Sequence, residues 1–355
     1  MLRLVRQMLK PYSRADLFFR LEESIGGEGR NSEVYTAHDP QLDAQIVIKK
    51  IPKTEFSNED DFFQESSVLY MSGHPYVVPI HYACEDEDFI YLAMPFYSKG
   101  SLNKLINERF LTVREIVRYA TQLLSALHNI HSKKLIHFDI KPDNILISTQ
   151  NEALVSDFGL TKPVGQNGLA EQDRAYFKVR PPECYNTEEH SLTYDIYQAG
   201  LVLYRMCMGN KEFYRQFDQY GEVANFDHDR FRFDLRNGRF PSRSDFLEHI
   251  PQSLITLIIK ALKPAPNERY ASAIDMINAL ADIDDKLLDW KYSTNAAGER
   301  NWTKDSDSRR ISLNIDNENV SNAYKTTNSG NRQRIRAYCL DSINRATVKA
   351  FLRGH

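Results

Sequence analysis

The residues best suited to chemistry sit in HFDIKPDNIL at 137–146 and LVSDFG at 154–159. Ile145, Leu146 and Ile147, then Ala153, Leu154 and Val155, are short apolar runs flanking the polar stretch 148–152, the pattern of two strands joined by a turn. An antiparallel hairpin returns the chain to where it started. Asn144, just before the first run, and Asp157, just after the second, therefore arrive at the same end. Two oxygen donors placed together suit Mg²⁺, which takes one or two carboxylates and fills its octahedron with phosphate oxygens and water. Asp139 lies five residues before Asn144 in the same loop, placed to accept a proton from a hydroxyl, and Lys141 adds positive charge where a phosphoryl group would pass. A polar hairpin is common by itself; an Asp-x-Lys-Pro-x-Asn loop joined to Asp-Phe-Gly at this distance is not.

Upstream, IVIK at 46–49 ends in Lys49. A lysine ending a strand is, taken alone, a solvated edge charge. The helical segment at 58–72 changes that reading. Glu65 shares a face with Phe62 and Leu69, at i−3 and i+4, so its carboxylate points the same way as apolar core residues. A carboxylate on a buried face needs a cationic partner, and Lys49 is the obvious one. GGEGRNSEV at 26–34 adds a Gly-rich turn, in which backbone amides can approach phosphates with no Cβ in the way. The same glycines could make only a hairpin turn, and the doublet Gly26-Gly27 leaves the register open by one residue.

Together these motifs resemble a protein kinase of the eukaryotic-like (Hanks-type) Ser/Thr superfamily, over about residues 21–288. The resemblance implies Asp139 as catalytic base (HFD standing for the family's His-Arg-Asp), Lys141 as the catalytic-loop lysine, and Asn144 and Asp157 as Mg²⁺ ligands. It implies that Lys49, held by Glu65, reaches the α- and β-phosphates of ATP. Gly27, Gly29, Ser32 and Val34 match the phosphate loop, with Ser32 in place of the third glycine. Val34, Val47 and Leu146 would sandwich adenine, Met94 is the gatekeeper, and Pro95, Phe96 and Tyr97 form the hinge. Glu183 of PPE and Arg269 of NERY match a structural ion pair, and Asp195 matches the aspartate that braces the catalytic loop. The implied activity is transfer of the γ-phosphoryl group of Mg-ATP to Ser/Thr hydroxyls of proteins, the chain itself included. The alternatives are a pseudokinase scaffold acting through the C-terminal module, or a small-molecule kinase of related fold. A pseudokinase would lack the lysine, the metal aspartate or the base, and the Lys-Pro pair, Glu183 and Arg269 favour a protein substrate.

Four departures stand out. Phe138 replaces the arginine that in many kinases receives an activation-loop phosphate. The segment 160–182 offers only Thr161 and Tyr176 as hydroxyls, so activity is expected not to depend on phosphorylation there. The family's threonine before the PPE position is not evident in AYFKVRPPE, and 210–250 matches no motif, serving either substrate docking or plain packing.

The elements that must position these residues follow from the rest of the 355-residue chain, which is 42% hydrophobic and 26% charged, a globular composition for about two domains. Runs at 45–51 and 88–94 and around Val34 and Tyr35 read as strands; the helix among them is capped by Ser57 and Asp60 and stopped by Gly73. Thr112 and Glu115 form a capping box, Ile116, Tyr119, Leu123, Leu127 and Ile130 keep helical spacing, and that period returns at 193–208, 251–262 and 271–288. The expected fold is α+β and bilobal: a small β-rich N-lobe with one key helix and the hinge at 21–97, then a larger helical C-lobe at 98–290. Residues 1–20 are an extension whose MLRLVRQMLK reads as a short amphipathic helix, packed on the body, lying on a membrane surface or serving as an organelle-targeting segment.

Residues 291–355 read as a polar linker, through STNAAGER and KDSDS, followed by a small basic β-rich module. In it Ile311, Leu313 and Ile315 alternate as in a strand, RQRIRAYC is strand-like, and Asp341 caps a final helix carrying Ile343, Val348 and Phe351. Residues 301–355 hold ten Lys or Arg against five Asp or Glu, a balance of +5 within a chain of net charge −3. The acidic body is thus not expected to bind nucleic acid. Arg332, Arg334 and Arg336 suit an acidic or phosphorylated partner, or are simply a solvated strand face. Cys84, Cys184, Cys207 and Cys339 lie far apart with no CxxC pair, which fits a cytoplasmic setting. No apolar run approaches the roughly 18 residues of a spanning helix.

Overall fold

The computed structural model describes residues 17–25, 32–56, 58, 62–172, 177–283 and 286–355. The expected helix at 1–10, the cap residues Ser57 and Asp60, and Gly27, Gly29 and Tyr176 lie outside them. The chain folds as two units, one reaching to Tyr70 and including Pro79–Phe96, the other made of Met71–Val78 and Tyr97–His355.

In the first unit, β1 (Arg20–Ser24), β2 (Glu33–Asp39), β3 (Ala44–Pro52), β4 (Tyr82–Glu85) and β5 (Phe89–Pro95) form an antiparallel sheet in the order β1-β2-β3-β5-β4. The period of two sorts β3 into two faces. Ile46 and Ile48 pack with Ala37 and Ala93 on one; Ile51 packs with Ile90 and Leu92 on the other. Helix α1 (Gln64–Met71) begins later than its expected start at 58. Phe62 instead joins the Ile51 cluster, edge-on to Phe56 at 5.4 Å, and Ser67 N and Ser66 Oγ both donate to Phe63 O to start the helix.

The second unit opens with α2 (Leu102–Glu108) and α3 (Val113–Ser132), the latter entered through the expected capping box of Thr112 and Glu115. Short strands follow: β6 (Leu135–Ile136), β7 (Ile145–Ile147), β8 (Ala153–Val155), β9 (Lys162–Pro163), β10 (Ala170–Glu171) and β11 (Glu189–His190). They pair as β6-β9, β7-β8 and β10-β11. Helix α4 (Thr193–Met208) is buried from Tyr194 to Met208, its few polar residues, Asp195, Gln198 and Arg205, all hydrogen-bonded. Around it lie α5 (Asn210–Asp218), α6 (His228–Arg236), α7 (Gln252–Ala261) and α8 (Ala273–Ala281). A Cβ on Gly200 would sit 2.9 Å from Ala261 Cβ, so α4 and α7 approach this closely because residue 200 has no side chain. The unassigned 210–250 segment is an aromatic packing cluster: Phe231 lies 5.4 Å from Phe217, 5.5 Å from Phe226 and 5.2 Å from Phe240, centroid to centroid.

The tail is a five-stranded antiparallel sheet of β12 (Lys291–Thr294), β13 (Arg300–Ser306), β14 (Arg309–Ile315), β15 (Ser321–Thr327) and β16 (Arg332–Arg334), in that order, closed by α9 (Arg345–Gly354). The expected linker is therefore absent. STNAAGER forms the β12–β13 hairpin, and its polar residues turn away from a core that begins at Leu287 and Trp290 and continues through Trp302, Leu313 and Phe351. RQRIRAYC is strand only to Arg334 before a 3₁₀ turn at Arg336–Tyr338. The last helix is capped by Asn344, not Asp341: Asn344 Oδ1 accepts from Thr347 N at 2.9 Å. Arg114 ties α3 to Asp289 through two bonds of 2.6 and 2.9 Å, and the Arg345 guanidinium donates to Phe246 O. No helix among the described residues is long and apolar enough to cross a membrane.

Candidate active site

The first unit presents its candidate residues on one face of the sheet. Val34 pairs with Lys49, and Val47 pairs with both Thr36 and Met94, so the period of two points Val34, Val47, Lys49 and Met94 the same way. Lys49 Nζ donates to Glu65 Oε1 at 2.7 Å and Oε2 at 3.0 Å, with both side chains nearly buried. A charge pair out of water holds its geometry, because separating it would strand each charge in a low-dielectric surround. Ser32 stands just before β2, and Phe96, just past β5, is exposed. The structure thus joins Lys49 to Glu65, as their positions along the chain predict.

In the second unit, β7 and β8 form the expected hairpin, with Ile145 opposite Val155 and Leu146, half-buried, opposite Leu154. Ser156 N and Oγ both donate to Asn144 O, at 2.9 and 3.0 Å, which closes the end of the hairpin where Asn144 and Asp157 lie. Asn144 Nδ2 donates to Asp139 O at 2.9 Å and Asp139 Oδ2 at 2.7 Å, and Lys141 Nζ donates to the same Oδ2 at 2.9 Å. Asp139 Oδ1 is buried and has no hydrogen-bond partner among the described residues. Asp157 and Phe138 take left-handed backbone conformations, φ 60° and 67°, which bulky residues adopt only when their surroundings enforce it.

For Phe138 that enforcement comes from α4. Asp195 Oδ2 accepts from His137 N and Asp195 Oδ1 from Phe138 N, both at 2.9 Å, and His131 Nε2 hydrogen-bonds Oδ2 at 2.8 Å. Gln198, one turn on, accepts from Ile140 N at 2.9 Å and donates to Phe138 O at 3.1 Å. Burial pushes the His137 imidazole below its ordinary value despite the carboxylates of Asp195, Asp139 and Asp157 nearby. It stays neutral, and its Nδ1 accepts from Asp139 N at 3.3 Å. Gln198 went unnoticed in the sequence, although two polar residues at i and i+3 in the otherwise apolar YDIYQAGLVLY were a signal for it.

A family model described as protein kinase domain matches residues 19–280. The chain belongs to the protein kinase family. This kinase is 27% identical over 304 residues to the probable serine/threonine-protein kinase PknB of Lactococcus lactis, an alignment covering 82% of the chain and 45% of that protein. It is 27% identical over 265 residues to the serine/threonine-protein kinase PrkC of Bacillus subtilis, covering 73% and 39%. It is also 27% identical over 192 residues to protein kinase 2 of Dictyostelium discoideum, covering 54% and 40%. The chain spans less than half the length of these curated relatives.

Two further features hold the segment around PPE in this kinase. Arg269 Nη1 and Nη2 donate to Glu183 Oε1 and Oε2 at 2.7 and 2.6 Å, and the same guanidinium reaches the carbonyls of Thr193, Lys263 and Pro264. Phe177, six residues before Glu183, packs edge-on against Phe226 at 5.2 Å and Phe217 at 6.0 Å, and Lys178 lies 4.9 Å over the Tyr214 ring. The aromatic segment thus buttresses the stretch that leads to PPE.

The kinase's donor set also suits a magnesium ion. Among the described residues no cluster of three or more His, Cys, Asp or Glu could cage a metal. Mg²⁺ needs no such cage, since it keeps waters and takes most of its oxygens from phosphates. With Asn144 Nδ2 turned to Asp139, its Oδ1 faces the other way. One amide oxygen and one carboxylate, Asp157, make a sufficient protein contribution.

Proposed function

We propose that this kinase transfers the γ-phosphoryl group of Mg-ATP to serine or threonine hydroxyls of proteins, itself among them, in a cytoplasmic setting that its four free cysteines support. Asp139 carries the reading. One carboxylate oxygen is fixed by Lys141 and Asn144, and the other is buried with no donor to it among the described residues. That is the arrangement of a group waiting for a hydroxyl proton. In this reading Asp139 orients the acceptor hydroxyl and takes its proton, while Lys141 balances charge on the group in transit. Lys49, kept in place by Glu65, binds the α- and β-phosphates, with the amides of the loop holding Gly27, Gly29 and Ser32. Val34, Val47, Met94, Phe96 and Leu146 bind the base. Asn144 and Asp157 hold Mg²⁺, which when bound neutralises the phosphate charges. Positioning and electrostatics supply the rate, with no covalent step on the protein.

Incubation with [γ-³²P]ATP and a generic protein acceptor tests this. The wild-type chain labels serine or threonine in protein. Asp139→Asn should lower the rate on the order of 10²–10⁴-fold while a fluorescent nucleotide binds as before. An unlabelled acceptor and chain, or an Asp139→Asn chain as active as wild type, would overturn the reading.

A further inference from the structure

The tail's sheet has one face in its core and one face open. Trp302, Leu313 and Ala323 are neighbours across β13, β14 and β15 on the core face, so the residues between them project the other way. Asn301, Asn314 and Asn322 are direct cross-strand neighbours and make a row of amides on the open face. Asn301 Oδ1 is buried without a hydrogen-bond partner among the described residues, and it lies in a hollow of about 560 Å³ shared with Asn314 and Asn322. A buried acceptor left unsatisfied is costly, and an incoming N–H or O–H removes that cost.

Beside the amides the same face is cationic. The register puts Lys291, Arg310, Arg332 and Arg334 on it with the acid Asp305, while Glu299 and Asp316 border the hollow beside the asparagines. Asp305 already accepts from Lys291 at 3.0 Å and Arg310 at 2.6 Å. Arg332 and Arg334 have no carboxylate partner among the described residues, Arg334 lying beside the Cys339 thiol. The Arg332 guanidinium lies 3.5 Å over the Tyr324 ring, which steadies it, and Arg334 reaches Asn322 Oδ1 at 3.5 Å. Two residues apart on one strand, their Cα atoms are roughly 6.6 Å apart, within reach of a single tetrahedral dianion.

We propose that this open face docks an extended peptide bearing phosphoserine or phosphothreonine, with its main-chain amides on the asparagine row and its phosphate on Arg332 and Arg334. The inference goes beyond phosphoryl transfer and does not depend on it. Guanidinium forks match phosphate oxygens, and peptide N–H groups match the orphaned amide oxygen. Single-stranded nucleic acid fits less well. Its binders offer bare aromatic platforms for bases, whereas the one ring on this face, Tyr324, is covered by Arg332.

The test is binding of the full chain, without nucleotide, to a fluorescent degenerate peptide pool centred on phosphoserine, followed by anisotropy. The pool should bind at least tenfold tighter than its unphosphorylated counterpart. Arg332→Gln/Arg334→Gln should lose about tenfold or more, and Asn314→Ala a smaller factor. Arg353→Gln, an exposed cation on α9, should bind like wild type. Equal affinity for both pools, no loss in the double variant, an equal loss in Arg353→Gln, or tighter binding of single-stranded RNA of matched charge would each overturn the proposal.

Discussion

Phe138, at φ 67°, stands directly before the proposed base, and such a conformation costs about 1–3 kcal/mol in a non-glycine residue. Bonds from Asp195 and Gln198 to its main chain and full burial of its ring offset that cost. The ring packs 4.9 Å from Tyr194 and 6.0 Å from His190, in a cluster with Ala170 of β10. An apolar contact thus ties the catalytic loop to β10 at the position where the family resemblance places a phosphate-binding arginine. Thr161 is itself buried, out of reach of a phosphorylating enzyme. The double variant Thr161→Ala/Tyr176→Phe should therefore keep activity within a few-fold of wild type in the labelling assay. A folded double variant with almost no activity would show that a hydroxyl switch operates after all. Lys49 and Glu65 were legible beforehand because a carboxylate on an apolar face demands a cation. Asp195 came from the family pattern. Gln198, although signalled by its spacing from Asp195, was missed because the main-chain groups it serves lie 58 and 60 positions away in the sequence.

Among the elements, the β7–β8 hairpin was legible because its apolar runs and polar turn are local. The aromatic segment was not. Its rings meet through α5, α6 and Phe177, more than thirty positions upstream, and no local period encodes such a meeting. Likewise the polar stretch of β12 and β13 read as a linker because one face of that hairpin is open to water, and Asp341 read as a cap because Asn344 lies only three residues further on. The tie between the PPE segment and α4 gives a stability prediction. Arg269, with its side chain wholly buried, is the only cation paired with Glu183 among the described residues. Arg269→Ala leaves that carboxylate uncompensated and should lower unfolding free energy by about 3–5 kcal/mol, read from urea midpoints. An unchanged midpoint would mean that the pair does not hold this region together.

Across the whole molecule, the tail and the helical body share a buried contact. Trp302 Nε1 donates to His249 Nδ1 at 3.4 Å, and the Tyr292 ring stacks on His249. Burial pushes the His249 imidazole down to about 3 from its ordinary 6.5. Between those values the unfolded chain binds a proton there and the folded chain does not, so stability falls as pH drops below about 6.5. From pH 7.5 to 5.5 one such ring accounts for about 1.4 kcal/mol, and His137, shifted the same way, adds to it. Urea midpoints at the two pH values should show this loss, and His249→Phe should remove His249's share of it. A wild-type midpoint that rises toward acid would contradict the assignment. Both of the chain's tryptophans, Trp302 in the tail and Trp290 just before it, are fully buried in the tail's core. Indole emission is consequently a private optical reporter of that one region. Set beside circular dichroism, which averages every helix, it tells whether the appended sheet melts ahead of the catalytic body or together with it, with no label attached.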